Sequence, residues 1–323
     1  MNSYILQKNR RLKRVAIAVF VLFIVLGFAT SQNVDSSVTL VVLGTVQDAG
    51  SPHIGCRKKC CSSLWDKPDP TRKVVSLGVY DPVSNKRILI DATPEITSQV
   101  KSLSSLVSGA SSDIPESIFI THAHIGHYTG LMYLGREAIN SKNVPVYVMP
   151  KMHEFLSSNG PWNQLIKLKN IDLKLMDHEQ TLNISPSLSI TPFLVPHRGE
   201  YSETVGMLIS GKNKKILFIP DIDKWHLWEN NIIDEIKKVD YAFLDATFYD
   251  KTEVNNRNIS EIPHPFVVES LELFKHLPEK EKAKIHFLHF NHTNPLLESG
   301  SFQSQDILSK GFKIAKFGDT FKL

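Results

Sequence analysis

Three histidines crowded at one strand-to-helix junction constrain this chain more than any other feature. They are His122, His124 and His127, in the run Thr121-His-Ala-His-Ile-Gly-His-Tyr-Thr-Gly130, directly after the apolar stretch Ser117-Ile-Phe-Ile. Neutral imidazole is the commonest ligand of zinc-like ions. An ion held at about 2.0–2.1 Å from nitrogen needs three or more donors aimed at one point. His122 and His124, two apart, project to one side as a strand ends, and His127 reaches back from the first helical turn toward the same space. The alternative, a surface loop that happens to be rich in histidine, fits this spacing less well.

The chain has 323 residues, 42% hydrophobic and 22% charged, enough for a large core in an ordinary globular protein. Its first thirty residues differ from the rest. Lys8, Arg10, Arg11, Lys13 and Arg14 precede an uninterrupted apolar run, residues 15–29, before Thr30-Ser31-Gln32 turns polar. A basic n-region, an apolar h-region and a small-residue exit describe a secretory signal, with Ala29-Thr30-Ser31 as the cleavage site. The run is short for a spanning helix, which needs about twenty residues, although flanking residues extend it into an uncleaved anchor. Residues 1–31 are therefore expected to be a signal peptide or N-terminal membrane anchor, placing the remainder in the periplasm, outside the cell, or outward-facing on the membrane.

Removing that segment changes the charge. Lys plus Arg is 37 and Asp plus Glu is 33, a net of +4; residues 1–31 hold five of the cations and no anion, which leaves 32 against 33. A protein that grips a nucleic-acid backbone carries a clear basic excess. No nucleic-acid partner is expected, and the substrate is expected to be a small molecule.

After Gln32 short β-branched runs alternate with helical stretches. Strands are predicted over 38–43, 75–80, 87–91, 117–121, 144–149, 189–195, 205–209, 215–219, 241–245, 284–290 and 312–317, and helices over 94–106, 127–139, 151–166, 225–238 and 267–276. Lys212-Asn-Lys214 reads as a hairpin turn. Two mixed β-sheets flanked by helices, an α/β (αββα) sandwich, is the natural packing. No linker divides residues 32–323, so one domain is expected.

Further chemistry stands at the ends of apolar strands: His197 closes Ile190-Thr-Pro-Phe-Leu-Val-Pro-His, Asp221 closes Lys215-Ile-Leu-Phe-Ile-Pro-Asp, and His289 lies in Ile285-His-Phe-Leu-His-Phe-Asn-His292. A carboxylate such as Asp221 can bridge two cations and offset their repulsion. Singly, His197 reads equally well as a core histidine and Asp221 as a helix N-cap; with the His122 cluster they read as ligands. His153, His178, His226, His276 and His286 read as surface or packing residues. The segments Asn159-Gly-Pro-Trp162 and Arg198-Gly-Glu-Tyr201 are expected to border the cleft.

The order strand, His-x-His-x-x-His, later His, later Asp, final His resembles the metallo-β-lactamase superfamily across nearly all of residues 38–323. The closer likeness is to the branch holding coenzyme PQQ synthesis protein B, tRNase Z and the cyclic phosphodiesterase of phosphonate breakdown. It is carried by Leu43-Gly-Thr, Ser51-Pro-His-Ile-Gly-Cys56, Ile90-Asp-Ala-Thr-Pro-Glu95, Ile125-Gly-His-Tyr-Thr-Gly-Leu131, Phe243-Leu-Asp-Ala-Thr-Phe248 and His289-Phe-Asn-His-Thr-Asn-Pro295. The resemblance implies His122, His124, His197 and Asp221 around one metal, and His127, Asp221 and His289 around a second. It also implies that Asp245 and His264 form an acid and histidine pair, as in tRNase Z, able to pass a proton to a leaving alkoxide; a turn cap and a helix cap are the structural alternatives for these two. One departure matters. The superfamily motif has Asp where this chain has Gly126, so the second site lacks a carboxylate unless Asp48 or Asp223 compensates.

Cys56, Cys60 and Cys61 lie within six residues, an odd count that leaves a thiol unpaired in any disulfide scheme. Three thiolates plus one imidazole make a closed tetrahedral zinc site. In the phosphonate-pathway relatives the histidine three after the final active-site ligand completes it, which implies His292 here, with His53 as the competing fourth ligand.

A metal-held water with its pKa lowered to about 7 makes hydrolysis the expected output, most naturally of a phosphodiester or similar small ester. Zinc is expected in both places, with Mn2+ or Fe2+ also compatible with the imidazole and carboxylate ligands. The resemblance to the PQQ protein offers a redox or biosynthetic role as the alternative, and Gly126 a binding protein with a partly degraded site.

Overall fold

β-branched and aromatic residues run along the central strands of this chain and give those strands two buried faces. In the computed structural model, which describes residues 36–107, 109–254 and 257–323, β1 (Thr39–Gly44) turns Leu40 and Val42 to one side and Val41 and Leu43 to the other, all buried. Strands apolar on both faces must lie between two layers.

One seven-stranded sheet runs β14-β1-β2-β3-β4-β5-β6, with β2 at Ser76–Asp81, β3 at Lys86–Ile90, β4 at Ser117–Phe119, β5 at Val144–Val148, β6 at Ile171–Leu175 and β14 at Thr320–Lys322. The second runs β13-β12-β11-β10-β9-β8-β7, with β7 at Leu182–Ser185, β8 at Leu188–Leu194, β9 at Val205–Ser210, β10 at Lys215–Ile219, β11 at Tyr241–Asp245, β12 at Ile285–Leu288 and β13 at Lys313–Ile314. Leu40, Val42, Leu77, Val79, Ile88 and Phe119 from the first sheet meet Ile190, Met207, Ile216, Phe218 and Phe243 from the second. The outer faces are covered by helices. Leu43, Leu89 and Ile118 lie under α2 (Ile96–Ser104), α4 (Pro150–Ser158) and α5 (Trp162–Lys167); Leu217, Ile219 and Leu244 lie under α6 (Ile232–Lys237), α7 (Val267–Phe274) and α9 (Phe302–Ser309). This is the αββα sandwich, and residues Ser37–Leu323 pack as one unit.

Strand direction decides where the functional residues go. β3, β4 and β5 are parallel, and β1 runs the same way because it is antiparallel to β2, which is antiparallel to β3. β10, β11 and β12 are likewise parallel, with β8 in the same sense through the antiparallel β9. The carboxyl ends of strands that share a direction therefore gather at one edge of each sheet.

Several helix expectations are corrected. The predicted 127–139 helix is one short α-helical turn, α3 (Ile125–Tyr128), followed by a 3-10 segment, Thr129–Leu134. The tighter winding lets Gly130 pack against the backbone of Ala92 and Thr93, where a Cβ would meet the Thr93 carbonyl oxygen at 2.1 Å. The predicted 151–166 helix splits into α4 and α5 at Asn159-Gly160-Pro161, because glycine favours a break and proline supplies no N–H. The 225–238 helix reduces to a 3-10 turn, Trp225–Leu227, and α6, which starts at Asn231, whose side chain accepts from Ile233 N at 2.9 Å. The short helices α1 (Lys59–Ser62), α3 and α8 (Glu279–Lys282) and the strands β6, β7 and β14 complete the fold. The expected hairpin at 212–214 forms, with Gly211 N donating to Lys214 O at 3.0 Å. The expected signal or anchor, residues 1–31, lies outside the described residues; among those described, no helix is long and apolar enough to cross a membrane.

Candidate metal centre

The apolar strands β4, β8, β10 and β12 are each followed within three residues by a potential ligand, His122, His197, Asp221 and His289, and the four converge. His122, His124, His197 and Asp221 place one donor atom each within 4.8 Å of one another. His122 Nε2 lies 3.3 Å and His124 Nδ1 3.8 Å from Asp221 Oδ2, while His197 Nε2 lies 3.1 Å from Asp221 Oδ1. His127 Nε2 and His289 Nε2 approach Asp221 Oδ2 from the other side, at 3.9 and 3.7 Å. Asp221 is thus shared, as a bridging carboxylate must be.

The donors fit a cation and little else. His122 Nε2, His124 Nδ1, His127 Nε2, His197 Nε2, His289 Nε2 and Asp221 Oδ1 are all buried and all without a hydrogen-bond partner. Leaving one such group unpaired costs about 1–3 kcal/mol, so six aimed at one space are tolerable only where an ion satisfies them together. An ion with bonds of about 2.0–2.1 Å in a tetrahedral site separates its donors by about 3.3 Å, close to the shorter separations here.

Behind four of the five rings sits an acceptor that selects the nitrogen facing the cup. His122 Nδ1 donates to Thr121 Oγ1 at 3.0 Å, His127 Nδ1 to Asp91 Oδ2 at 2.8 Å, His197 Nδ1 to Asp223 Oδ1 at 3.0 Å and His289 Nδ1 to Thr247 Oγ1 at 2.7 Å. Such partners fix tautomer and ring orientation. Asp223 is therefore a support for His197 and not the compensating ligand. Burial, followed by the neighbouring His127, holds His122 well below the usual imidazole pKa, which keeps it neutral and able to coordinate. Burial opposes the charge of Asp221, but His197, His289 and His264 outweigh it and hold its carboxyl well below the usual range. Two residues of the centre adopt the left-handed backbone, Asp91 at φ +68° and His289 at φ +63°. This conformation disfavours residues with a Cβ and clusters at functional sites.

Asp245 and His264 form the expected pair. His264 Nδ1 lies 2.9 Å from Asp245 Oδ2 and 3.2 Å from Asp221 Oδ1, and its Nε2 has no hydrogen-bond partner among the described residues. Burial works against a charged ring, but Asp245 and Asp221 overcome it and push the His264 pKa up to about 10. Asp245 also caps a turn, accepting from Thr247 N at 2.9 Å. His264 does not cap α7; Glu269 does, accepting from Phe266 N at 2.8 Å.

The cysteine cluster forms as well. Cys56 Sγ and Cys61 Sγ each lie 3.9 Å from Cys60 Sγ, and His292 Nδ1 is 3.6 Å from Cys60 Sγ and 3.3 Å from Cys61 Sγ. A tetrahedral zinc with the usual bond lengths sets sulfurs about 3.8 Å apart and sulfur and nitrogen about 3.6 Å apart. A disulfide needs about 2.05 Å, and all three cysteines are free. His53 is not the fourth ligand: its Nδ1 turns to the Ile54 carbonyl at 2.8 Å, and its ring stands 4.5 Å from that of His292. Burial, with His53 and Lys58 beyond, lowers His292 to about 4, the neutral form a ligand needs.

The two flanking segments lie beside the histidine motif, with Glu200 Oε2 3.9 Å from His124 Nε2. Tyr201 stacks on Phe155 at 5.2 Å, and Trp162 and Tyr128 continue that wall at 5.1 Å. Ser202 Oγ accepts from Ala123 N at 2.8 Å, which ties the wall to the histidine motif. Sequence reasoning gave no role to Asp91, Thr121 or Thr247. The one available signal was that Asp91 closes an apolar strand, as Asp221 does.

The β-lactamase superfamily domain matches residues 86–287. Coenzyme PQQ synthesis protein B of Pseudomonas fluorescens (strain Pf0-1) is 25% identical over 307 residues, spanning 86% of this chain and 97% of its own. Zn(2+)-bound PqqB from Methylobacterium extorquens superposes with a TM-score of 0.72 at 21% identity, covering 88% of this chain and all of that one. A diphosphatase of the PhnP family superposes with a TM-score of 0.63 at 21% identity, covering 88% and 97%. With two sheets between helices, ligands at shared strand ends and a family match across the histidine motif, Asp221 and His264, this chain belongs to the β-lactamase superfamily and has the metallo-β-lactamase fold.

Proposed function

We propose that this protein is an exported metal-dependent hydrolase acting on a phosphodiester or similar small ester, with zinc in the cysteine site and zinc or another divalent ion in the histidine cup. The observation that carries the reading is the set of buried, unpartnered donors facing one another, with the His264 ring beside them, its Nδ1 3.2 Å from Asp221 Oδ1. An ion bound there supplies a water of lowered pKa and a Lewis acid for an ester oxygen. The residues do the rest. Asp91, Thr121, Asp223 and Thr247 hold the ligand rings in the coordinating tautomer. Asp245, 2.9 Å from His264 Nδ1, favours the protonated ring, whose Nε2 then has a proton to give to a departing alkoxide. The neighbours support this reading: the PhnP-family neighbour is a diphosphatase and the PqqB neighbour carries Zn2+.

Export is supported by the basic segment and apolar run of residues 8–29. The near-neutral charge of residues 32–323 supports a small substrate over nucleic acid.

A chromogenic panel of phosphodiesters, diphosphates and carboxyl esters tests the activity. Hydrolysis should require divalent ion, disappear together with the cup metal when His122 and His124 are both replaced by alanine, and fall when His264 becomes Ala. A folded, metal-loaded protein inactive on the whole panel would overturn the reading, and iron as the only cup metal would turn attention to the biosynthetic redox role. Cell fractionation tests export: intact Met1 in the cytosol would refute it.

A further inference from the structure

We propose that Asp48 is a relocated metal ligand: it takes the place of the acid that the superfamily motif carries where this chain has Gly126, and it completes a second ion site with His127, His289 and Asp221. The proposal rests on the metal-centre reading above. Competition for space is the first observation. A Cβ built on Gly126 would fall 2.3 Å from Asp48 Oδ1 and 2.6 Å from Asp48 Cα, so a side chain at 126 and this placement of Asp48 exclude each other. Glycine stands at 126 because the carboxylate arriving from the β1 end already fills that volume.

The donors are the second. Asp48 Oδ1 lies 3.1 Å from His127 Nε2 and 4.0 Å from His289 Nε2, and all three atoms are buried without a hydrogen-bond partner. An ion with bonds of about 2.1 Å sets adjacent donors about 3.0–3.4 Å apart, so the closer pair already has a coordination-edge spacing. Asp221 Oδ2, 3.9 Å from His127 Nε2 and 3.7 Å from His289 Nε2, is the fourth donor of the proposed site.

The third observation is how Asp48 is held. Gln47 N donates to Phe290 O at 2.8 Å and Phe290 N to Thr45 O at 2.8 Å, so the Asp48 turn is laced to the residue after His289. Gln47 Nε2 donates to Asp48 Oδ2 at 3.1 Å, which leaves Oδ1 for the ion. The cysteine site, eight residues further on, fastens the same loop to His292.

Metal per chain, read by mass spectrometry after equilibration with zinc and removal of the excess, tests this. The wild type should hold the cysteine-site zinc plus two further ions. Asp48→Ala should lose one of these two, or bind it at least tenfold more weakly, and keep the other. Gly126→Asp alone should also lose it through the clash, and Asp48→Gly with Gly126→Asp should recover it. Should Asp48→Ala not fold, Asp48→Asn gives the same readout. Unchanged metal content in the Asp48 variants, or a double variant no better than Gly126→Asp, would overturn the proposal. A wild type holding only the cysteine-site zinc would instead overturn the metal-centre reading itself.

Discussion

Four of the five imidazoles of the cup are set by what lies behind them, and Asp91 does the most of this. Its carboxylate accepts from Thr121 N at 2.8 Å and Thr121 Oγ1 at 2.9 Å as well as from His127 Nδ1, so two ligand rings depend on it. Asp91→Asn should weaken metal binding by roughly 10–100-fold with the fold intact, as measured by chelator competition; unchanged affinity would contradict the role. A separate, half-buried acid, Glu253, accepts from Thr293 Oγ1 at 2.6 Å, and its partial burial pushes its carboxyl from 4.5 up to about 7. Below pH 4.5 both folded and unfolded chains are protonated. Between about 4.5 and 7 the folded chain keeps a proton that the unfolded one has lost, so stability falls as pH rises by roughly 3 kcal/mol or less. Glu253→Gln should therefore gain thermal stability over the wild type at pH 8 and not at pH 4; an equal difference at both would contradict this. At this scale the histidines and Asp221 were readable because each ends an apolar run. Asp91 and Asp223 were not readable as supports, because a hydrogen bond to the back of a ring leaves no spacing in the sequence.

Strands were more legible than helices, for a physical reason. A strand buried on both faces is a continuous apolar run, as in Ile216-Leu-Phe-Ile219, and its ends show where polar residues begin. Edge strands such as β6, with Lys174 and Leu175 exposed, and the three-residue β14 lack that contrast. Helices were overextended because the periodicity of residues 151–166 and 225–238 continues across breaks set by Pro161 and the Asn231 cap. Packing between the sheets is what holds the strand ends in register: Phe218 is fully buried there, one residue before β10 ends and three before Asp221. Phe218→Ala should lower stability by about 3–5 kcal/mol in denaturant titration. A loss under about 1 kcal/mol would mean the interface repacks freely and does not position Asp221.

At the scale of the whole molecule, two sheets with different strand orders bring their carboxyl ends to one centre, and the cysteine site fastens the β1 loop to the loop after β12. His289 and His292 share that second loop, which Asn294 ties to the β11 end by donating to Ala246 O at 2.7 Å. Cys60→Ser should release one equivalent of zinc and lower the melting temperature; full zinc retention, or a disulfide found by mass spectrometry in the wild type, would contradict the assignment. The central claim is that imidazoles from distant strand ends and the shared Asp221 hold a cation. Anomalous scattering from crystals grown with excess zinc tests it most directly. The account predicts a strong peak within bonding distance of His122 Nε2, His124 Nδ1, His197 Nε2 and Asp221. Those rings turned apart, with no peak among them, would contradict it.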